Sequence, residues 1–159
     1  MKKYHILFVC TGNICRSRTA DGVLRKMVVD QGLIGHVEVD SAGTHDYHVG
    51  EVPDGRSQQH ALQRGYDLSA LRARQVQTDD FEKFDLILAL DDGHLKILQK
   101  ICPPQYKIKL HRFTEFCTRH QSPDVPDPYY GGPRGFEHVL DLVEDGCRGL
   151  VDHICTRPT

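Results

Sequence analysis

The sequence predicts an α/β fold: a three-layer arrangement in which an open sheet of four parallel strands carries helices on both faces. Three observations predict it. Strand-like and helix-like stretches alternate along the chain, a pattern that builds parallel β-α-β units. Residues 85 to 90 read DLILAL, a nearly all-apolar run of the kind a strand shows when both of its faces are covered. Residues 6 to 10 read ILFVC and pass through a short glycine-containing loop straight into a helix, the junction at which open α/β sheets bind ligands.

The elements follow in order. Tyr4 to Val9 reads as the first strand. Ser17 to about Asp30 reads as a helix with Ala20, Val23, Leu24 and Met27 on one face, and Gly32 and Gly35 break it. His36 to Ser41 alternates and reads as the second strand; Gly43 to Pro53 is a polar loop. Asp54 caps a helix running to about Arg64, which Gly65 stops. Thr78 to Phe84 is a short helical turn, and Asp85 to Leu90 is the third strand. Asp91 or Asp92 caps the next helix, which Pro103-Pro104 must end. Tyr106 to Leu110 reads as the fourth strand, and His111 to Gly132 as a long loop. Pro133 fits the first turn of a last helix reaching about Cys155, with Phe136, Val139, Leu140, Val143, Cys147, Leu150 and Ile154 along one stripe.

The 159 residues fit one domain, 1–159, without repeats or linkers. A net charge of −2 gives no reason to expect nucleic-acid or membrane partners, and no apolar run approaches the 18 or so residues of a membrane span. MKKYHILFVC has the basic start of a signal peptide, but its apolar run is short and ends in Thr11-Gly12-Asn13. Read as a strand, it leaves the protein in the cytoplasm. There the six cysteines are expected as free thiols, and Cys102, Cys117, Cys147 and Cys155 as packing residues. The ten histidines show no metal-ligand spacing, so no metal is expected.

The loop CTGNICRS carries the chemistry. Gly12 lets the backbone fold tightly and Asn13 tolerates a left-handed conformation, so successive N–H groups can turn inward as an anion nest. The helix N-terminus adds partial positive charge. Arg16 can grip two oxygens of a phosphate at once, which a lysine cannot. A site for a tetrahedral oxyanion results, built from Thr11, Gly12, Asn13, Ile14, Cys15 and Ser17. Cys10 lies beneath it as a thiolate, poised for in-line attack on phosphorus. Ser17 both caps the helix and offers its hydroxyl to the sulfur. The plainer alternative is a buried strand-end cysteine beside a capping arginine.

CTGNICRS resembles the phosphate-binding loop of the low-molecular-weight protein tyrosine phosphatases, with its C-x5-R-S pattern near the N-terminus. Asp127-Pro128-Tyr129-Tyr130-Gly131-Gly132, followed by GFEHVLDLVEDGCRGL, resembles that family's general-acid loop and final helix; residues 39–43 (VDSAG), 72–75 (RARQ) and 85–91 (DLILALD) also match. The resemblance spans essentially the whole chain. It implies a flavodoxin-like strand order, 2-1-3-4, and the hydrolysis of phosphotyrosine and aryl phosphates without cofactor. Cys10 would form a cysteinyl phosphate, Arg16 and the loop amides would stabilise the equatorial oxygens, and Asp127 would protonate the leaving phenolate and then activate water. Asp127 has to be protonated while Cys10 is ionised, so activity should be highest at mildly acidic pH. Asp124 is the alternative acid; the Asp-Pro-Tyr context favours Asp127. By resemblance Tyr47 and Tyr129 wall the substrate pocket, and Ser41 supports Asn13 or the loop. Ile14 stands where arginine phosphatases of this kind usually carry threonine, which leans towards phosphotyrosine over phosphoarginine.

Cys15 is close enough to Cys10 for a disulfide under peroxide, or is a small apolar loop residue. Phosphotyrosine-containing proteins are the expected partners, and the pair Tyr129 and Tyr130 could be offered to a partner tyrosine kinase. Departures from the family pattern are Arg18 and Thr19 in place of proline and methionine, Asp21 in place of glutamate, and Leu71 in place of a networked histidine. Arg18 would add positive charge near the anion site. Two rivals on the same fold are weaker. An arsenate reductase would need a mobile cysteine pair, and residues 78–100 hold none. A non-catalytic phosphotyrosine reader would be expected to lack Cys10 or Asp127.

Overall fold

The computed structural model of the chain describes residues 3–11, 16–45, 50–51, 54–119, 124–126 and 132–156. Alternation along β1 (Tyr4–Cys10) divides the interior in two. Ile6, Phe8 and Cys10 face the helices α1 (Arg16–Asp30) and α5 (Gly132–Cys155). Leu7 and Val9 face the other way, into a cluster with Phe81, Phe84, Leu98 and Cys102 from the segments around α3 (Thr78–Lys83) and α4 (Asp92–Ile101). Ile6 to Val9 are fully buried, which is why this strand reads as an unbroken apolar run.

The strands are parallel and ordered β2-β1-β3-β4, with β2 at Val37–Gly43, β3 at Leu86–Ala89 and β4 at Leu110–Arg112. This is the expected order. Cys10 stands opposite Gly43, and Val9 opposite Ala89, so the ends of β1, β2 and β3 share one rim.

Several helix ends have the anticipated chemistry. Asp54 caps α2 (Gly55–Gln63) by accepting the N–H groups of Arg56 and Ser57, and Gly65 leaves it with a φ of 91°. Asp91, not Asp92, caps α4, accepting the His94 N–H. In α5 the stripe Phe136, Val139, Leu140, Val143, Cys147 and Leu150 is buried, and Ile154 packs partly buried beside it. Among the described residues no helix is long and apolar enough to cross a membrane.

The fourth strand departs from expectation. Residues 104–109 form a 3-10 helix, and β4 begins only at Leu110. Pro104 sets the first turn. The Lys109 ammonium donates to the carbonyls of Phe81 and Glu82, and Ile108, whose alternation suggested a strand, is 84% exposed. The long loop after it begins with the end of β4 and a second 3-10 turn, Phe113–Phe116. Cys155 also differs: it is exposed at the end of α5 rather than packed.

That second turn sets a demand on α5. Phe113 stacks edge-on against Phe8 and crosses Gly146, and the Phe116 carbonyl approaches Gly149 so closely that an added Cβ would lie 1.9 Å from its oxygen. The obstacle is backbone, which cannot swing aside. Gly149→Ala is therefore expected to destabilise the fold by about 3 kcal/mol, read as a lower urea midpoint at constant m-value. A loss under about 0.5 kcal/mol would mean that α5 slides freely on this turn.

Candidate active site

Cys10, at the carboxyl end of β1, is 3% exposed, and the first turn of α1 passes beside it. The Ser17 hydroxyl lies 2.9 Å from Cys10 Sγ and donates to it when the sulfur is ionised. The parallel ladder with β2 continues past the strand end: Thr44 N–H donates to the Cys10 carbonyl and His45 N–H to that of Thr11. The start of the loop is thus tied down by backbone bonds.

Arg16 is 8% exposed. One of its terminal nitrogens donates both to Asp91 Oδ2 at 2.9 Å and to the Val125 carbonyl at 3.0 Å. Burial pushes the Asp91 carboxyl up, but the His94 backbone N–H and the Arg16 guanidinium oppose it, and the group is held below the usual carboxylate range. Two flanking segments converge on one guanidinium: the turn after β3 supplies Asp91, and the segment 124–126 supplies Val125.

Asp124, the alternative general acid, is engaged otherwise. Its Oδ1 accepts the Asp92 N–H at 2.7 Å in the first turn of α4. Val125 N–H donates to the Leu90 carbonyl at 2.7 Å. This stretch anchors the chain next to the segment that carries Asp127. Gly12, Asn13, Ile14, Cys15, Tyr47, Asp127, Tyr129 and Tyr130 lie outside the described residues.

The family departures have structural consequences. Asp21 is fully buried, accepts from the Ser41 hydroxyl at 2.7 Å and pairs with Arg25; burial pushes its carboxyl up. Ser41 thereby braces α1 against β2. Arg18 is buried, not displayed. Burial lowers it to about 10, partly offset by Asp21 and Asp40. Those carboxylates offset the positive charge that the sequence assigned to the anion site. Leu71 packs partly buried against the core beneath Gly22.

Sequence reasoning missed His94, the Asp91–Arg16 pair and the Val125 carbonyl. Asp91 carried a signal: it follows directly on the carboxyl end of β3, on the binding rim. His94, three residues into the helix, carried none.

A family model described as low molecular weight phosphotyrosine protein phosphatase matches residues 5–157. The chain is 45% identical over 151 residues to a low molecular weight protein-tyrosine-phosphatase of Streptomyces coelicolor, covering 93% of this chain and 92% of that one. It is similar to the crystal structure of a protein tyrosine phosphatase from Entamoeba histolytica with Hepes in the active site, with a TM-score of 0.91, 41% identity and coverage of 94% and 96%. It is similar also to the crystal structure of YfkJ from Bacillus subtilis, with a TM-score of 0.93, 33% identity and coverage of 100% and 99%. The strand order, the cysteine at the sheet rim and this likeness along nearly the whole length agree: the chain belongs to the low molecular weight phosphotyrosine protein phosphatase family.

Proposed function

We propose that the protein hydrolyses phosphotyrosine in proteins, and aryl phosphates generally, through a cysteinyl-phosphate intermediate. The reading rests above all on Cys10 at the sheet rim with the Ser17 hydroxyl 2.9 Å from its sulfur. The Cys10 thiolate attacks phosphorus in line and the phosphorus–aryl oxygen bond breaks. Asp127 delivers a proton to the departing phenolate. Water then attacks the same phosphorus, Asp127 takes its proton, and the sulfur–phosphorus bond breaks to release inorganic phosphate. One nitrogen of Arg16 is committed to Asp91 and Val125, so the phosphate is gripped along the other edge of the guanidinium. The amides from Thr11 to Cys15 complete the cradle, and Tyr47 and Tyr129 hold the phenyl ring.

The test is release of nitrophenol from para-nitrophenyl phosphate at pH 5.5 with chelator and reductant present. Turnover is expected; its absence in a folded protein would favour a phosphotyrosine reader. The choice of acid has its own test. Asp127→Ala is expected to lower kcat about 10²- to 10⁴-fold, the usual worth of a general acid, whereas Asp124→Ala should lower it less, through loss of a helix cap. The reverse ranking would make Asp124 the acid. Phosphotyrosine proteins in the cytoplasm are the proposed substrates, and a tyrosine kinase acting on Tyr129 or Tyr130 the proposed partner.

A further inference from the structure

His94 is a buried titratable side chain with no part in the reaction as written above. It is 3% exposed, in the first turn of α4. Its Nε2 lies 2.8 Å from the Thr11 hydroxyl and 3.5 Å from a terminal nitrogen of Arg16. Its Nδ1 lies 3.1 Å from Asp91 Oδ1, off the direction of a hydrogen bond, and its backbone N–H donates to that same oxygen at 2.8 Å. The other Asp91 oxygen accepts from Arg16 at 2.9 Å. His94, Asp91 and Arg16 therefore form a closed circuit, and Thr11 joins it through the His94 Nε2.

The charges facing the ring come from several elements: Asp91 from the cap of α4, Arg16 from α1, Asp124 from the segment before Val125, and His45 from the end of β2. Burial pushes the imidazole down to about 4; Asp91 opposes the shift and Arg16 adds to it. The ring is neutral at the pH of the reaction. Its neighbours assign the tautomer: the proton on Nδ1 faces the Asp91 carboxylate, and the Nε2 lone pair faces the Thr11 hydroxyl and the guanidinium. Protonation would turn that acceptor into a second donor against Arg16.

We propose that His94 is a positioning residue of the phosphate site, whose Nε2 orients Thr11, the residue after the nucleophile, and faces a terminal nitrogen of Arg16. This rests on the phosphatase reading. Thr11 is then held twice, by His45 at its carbonyl and by His94 at its hydroxyl. A small displacement of such a loop is costly, since a shift of about 1 Å in a catalytic group can lower turnover about 10²-fold.

Three substitutions separate the two ring nitrogens. His94→Gln keeps an acceptor near the Nε2 position; His94→Asn keeps a donor near Nδ1; His94→Leu keeps neither. Turnover of para-nitrophenyl phosphate and affinity for inorganic phosphate, read by the shift of the unfolding midpoint, are measured on all of them. His94→Leu and His94→Asn are expected to lower kcat about 10- to 100-fold, with His94→Gln restoring it to within about 3-fold of wild type. A His94→Leu variant within about 3-fold of wild type in both readouts would overturn the proposal. So would all three variants falling together in step with lost stability. Phosphate affinity tests the proposal even if the wild type does not turn over, so failure of the phosphatase reading stays distinguishable.

A pH series adds a readout independent of catalysis. The folded-state value of about 4 lies below the ordinary 6.5, so between them the unfolded chain binds the proton more readily. Stability contributed by neutral His94 is complete above pH 6.5 and is lost as the pH falls towards 4. The folded-to-unfolded ratio of wild type should therefore fall over that window by up to about two orders of magnitude more than that of His94→Gln. Identical pH dependence in the two proteins would count against a buried neutral ring.

Discussion

Cys10→Ser is expected to abolish turnover of para-nitrophenyl phosphate, by about 10⁴-fold or more, while leaving the protein folded. Among the described residues the hydroxyl beside the nucleophile is that of Ser17, which faces the sulfur from within the first turn of α1 rather than from its cap, since the helix begins at Arg16. A serine at position 10 keeps a polar atom next to Ser17 and changes volume only slightly, so the buried end of β1 should tolerate it. Inorganic phosphate should still bind the variant, because the substitution removes the nucleophile and leaves Arg16 and the loop amides in place. Turnover and phosphate binding measured on one preparation, with urea unfolding as control, give the result. Residual activity above about 1% that survives repurification would mean that another group attacks phosphorus.

Arg16→Lys keeps the charge and is expected to remain severely impaired, with kcat/KM lower by about 10² to 10³, the loss seen when one preorganised oxyanion donor is removed. The guanidinium does two jobs at once. One nitrogen donates to both Asp91 and the Val125 carbonyl, and under the proposed mechanism the remaining N–H groups are the ones that grip phosphate. A single ammonium cannot span both. The variant should also leave the half-buried Asp91 carboxylate poorly paired, which lowers stability by about 1 to 3 kcal/mol. Kinetics and urea unfolding separate the two effects. A variant within tenfold of wild type would show that charge alone suffices and that the anchoring bonds are incidental.

Much of the fold was legible because its most buried parts have one-sided chemistry. β1 and β3 are covered on both faces and so read as continuous apolar runs; α5 reads as a helix because one stripe carries its burial. The fourth strand was misplaced because Tyr106, Ile108 and Leu110 alternate as a strand would, while Pro104 directs the chain into a 3-10 turn. The site divided similarly. Cys10, Arg16 and Ser17 share a stretch of eight residues, and the glycine-containing loop between a buried strand and a helix start placed them together. His94 and Val125 reach Arg16 across 78 and 109 positions of sequence. Their proximity follows from sheet order and loop return, which no local pattern records. Asp124 looked like a candidate acid by residue type; only the fold shows its oxygen capping a helix.

The bond from Arg16 to the Val125 carbonyl has a consequence for how the protein assembles. It joins the first helix to a point close to the start of the last one, closing a loop of most of the chain. Contacts of such long separation form late, after local structure and the central strand pairs are in place. A partly folded chain can therefore own the cysteine and the glycine loop and still lack a shaped phosphate grip. The Val125 N–H, bonded to the Leu90 carbonyl, is therefore expected to gain exchange protection late in refolding.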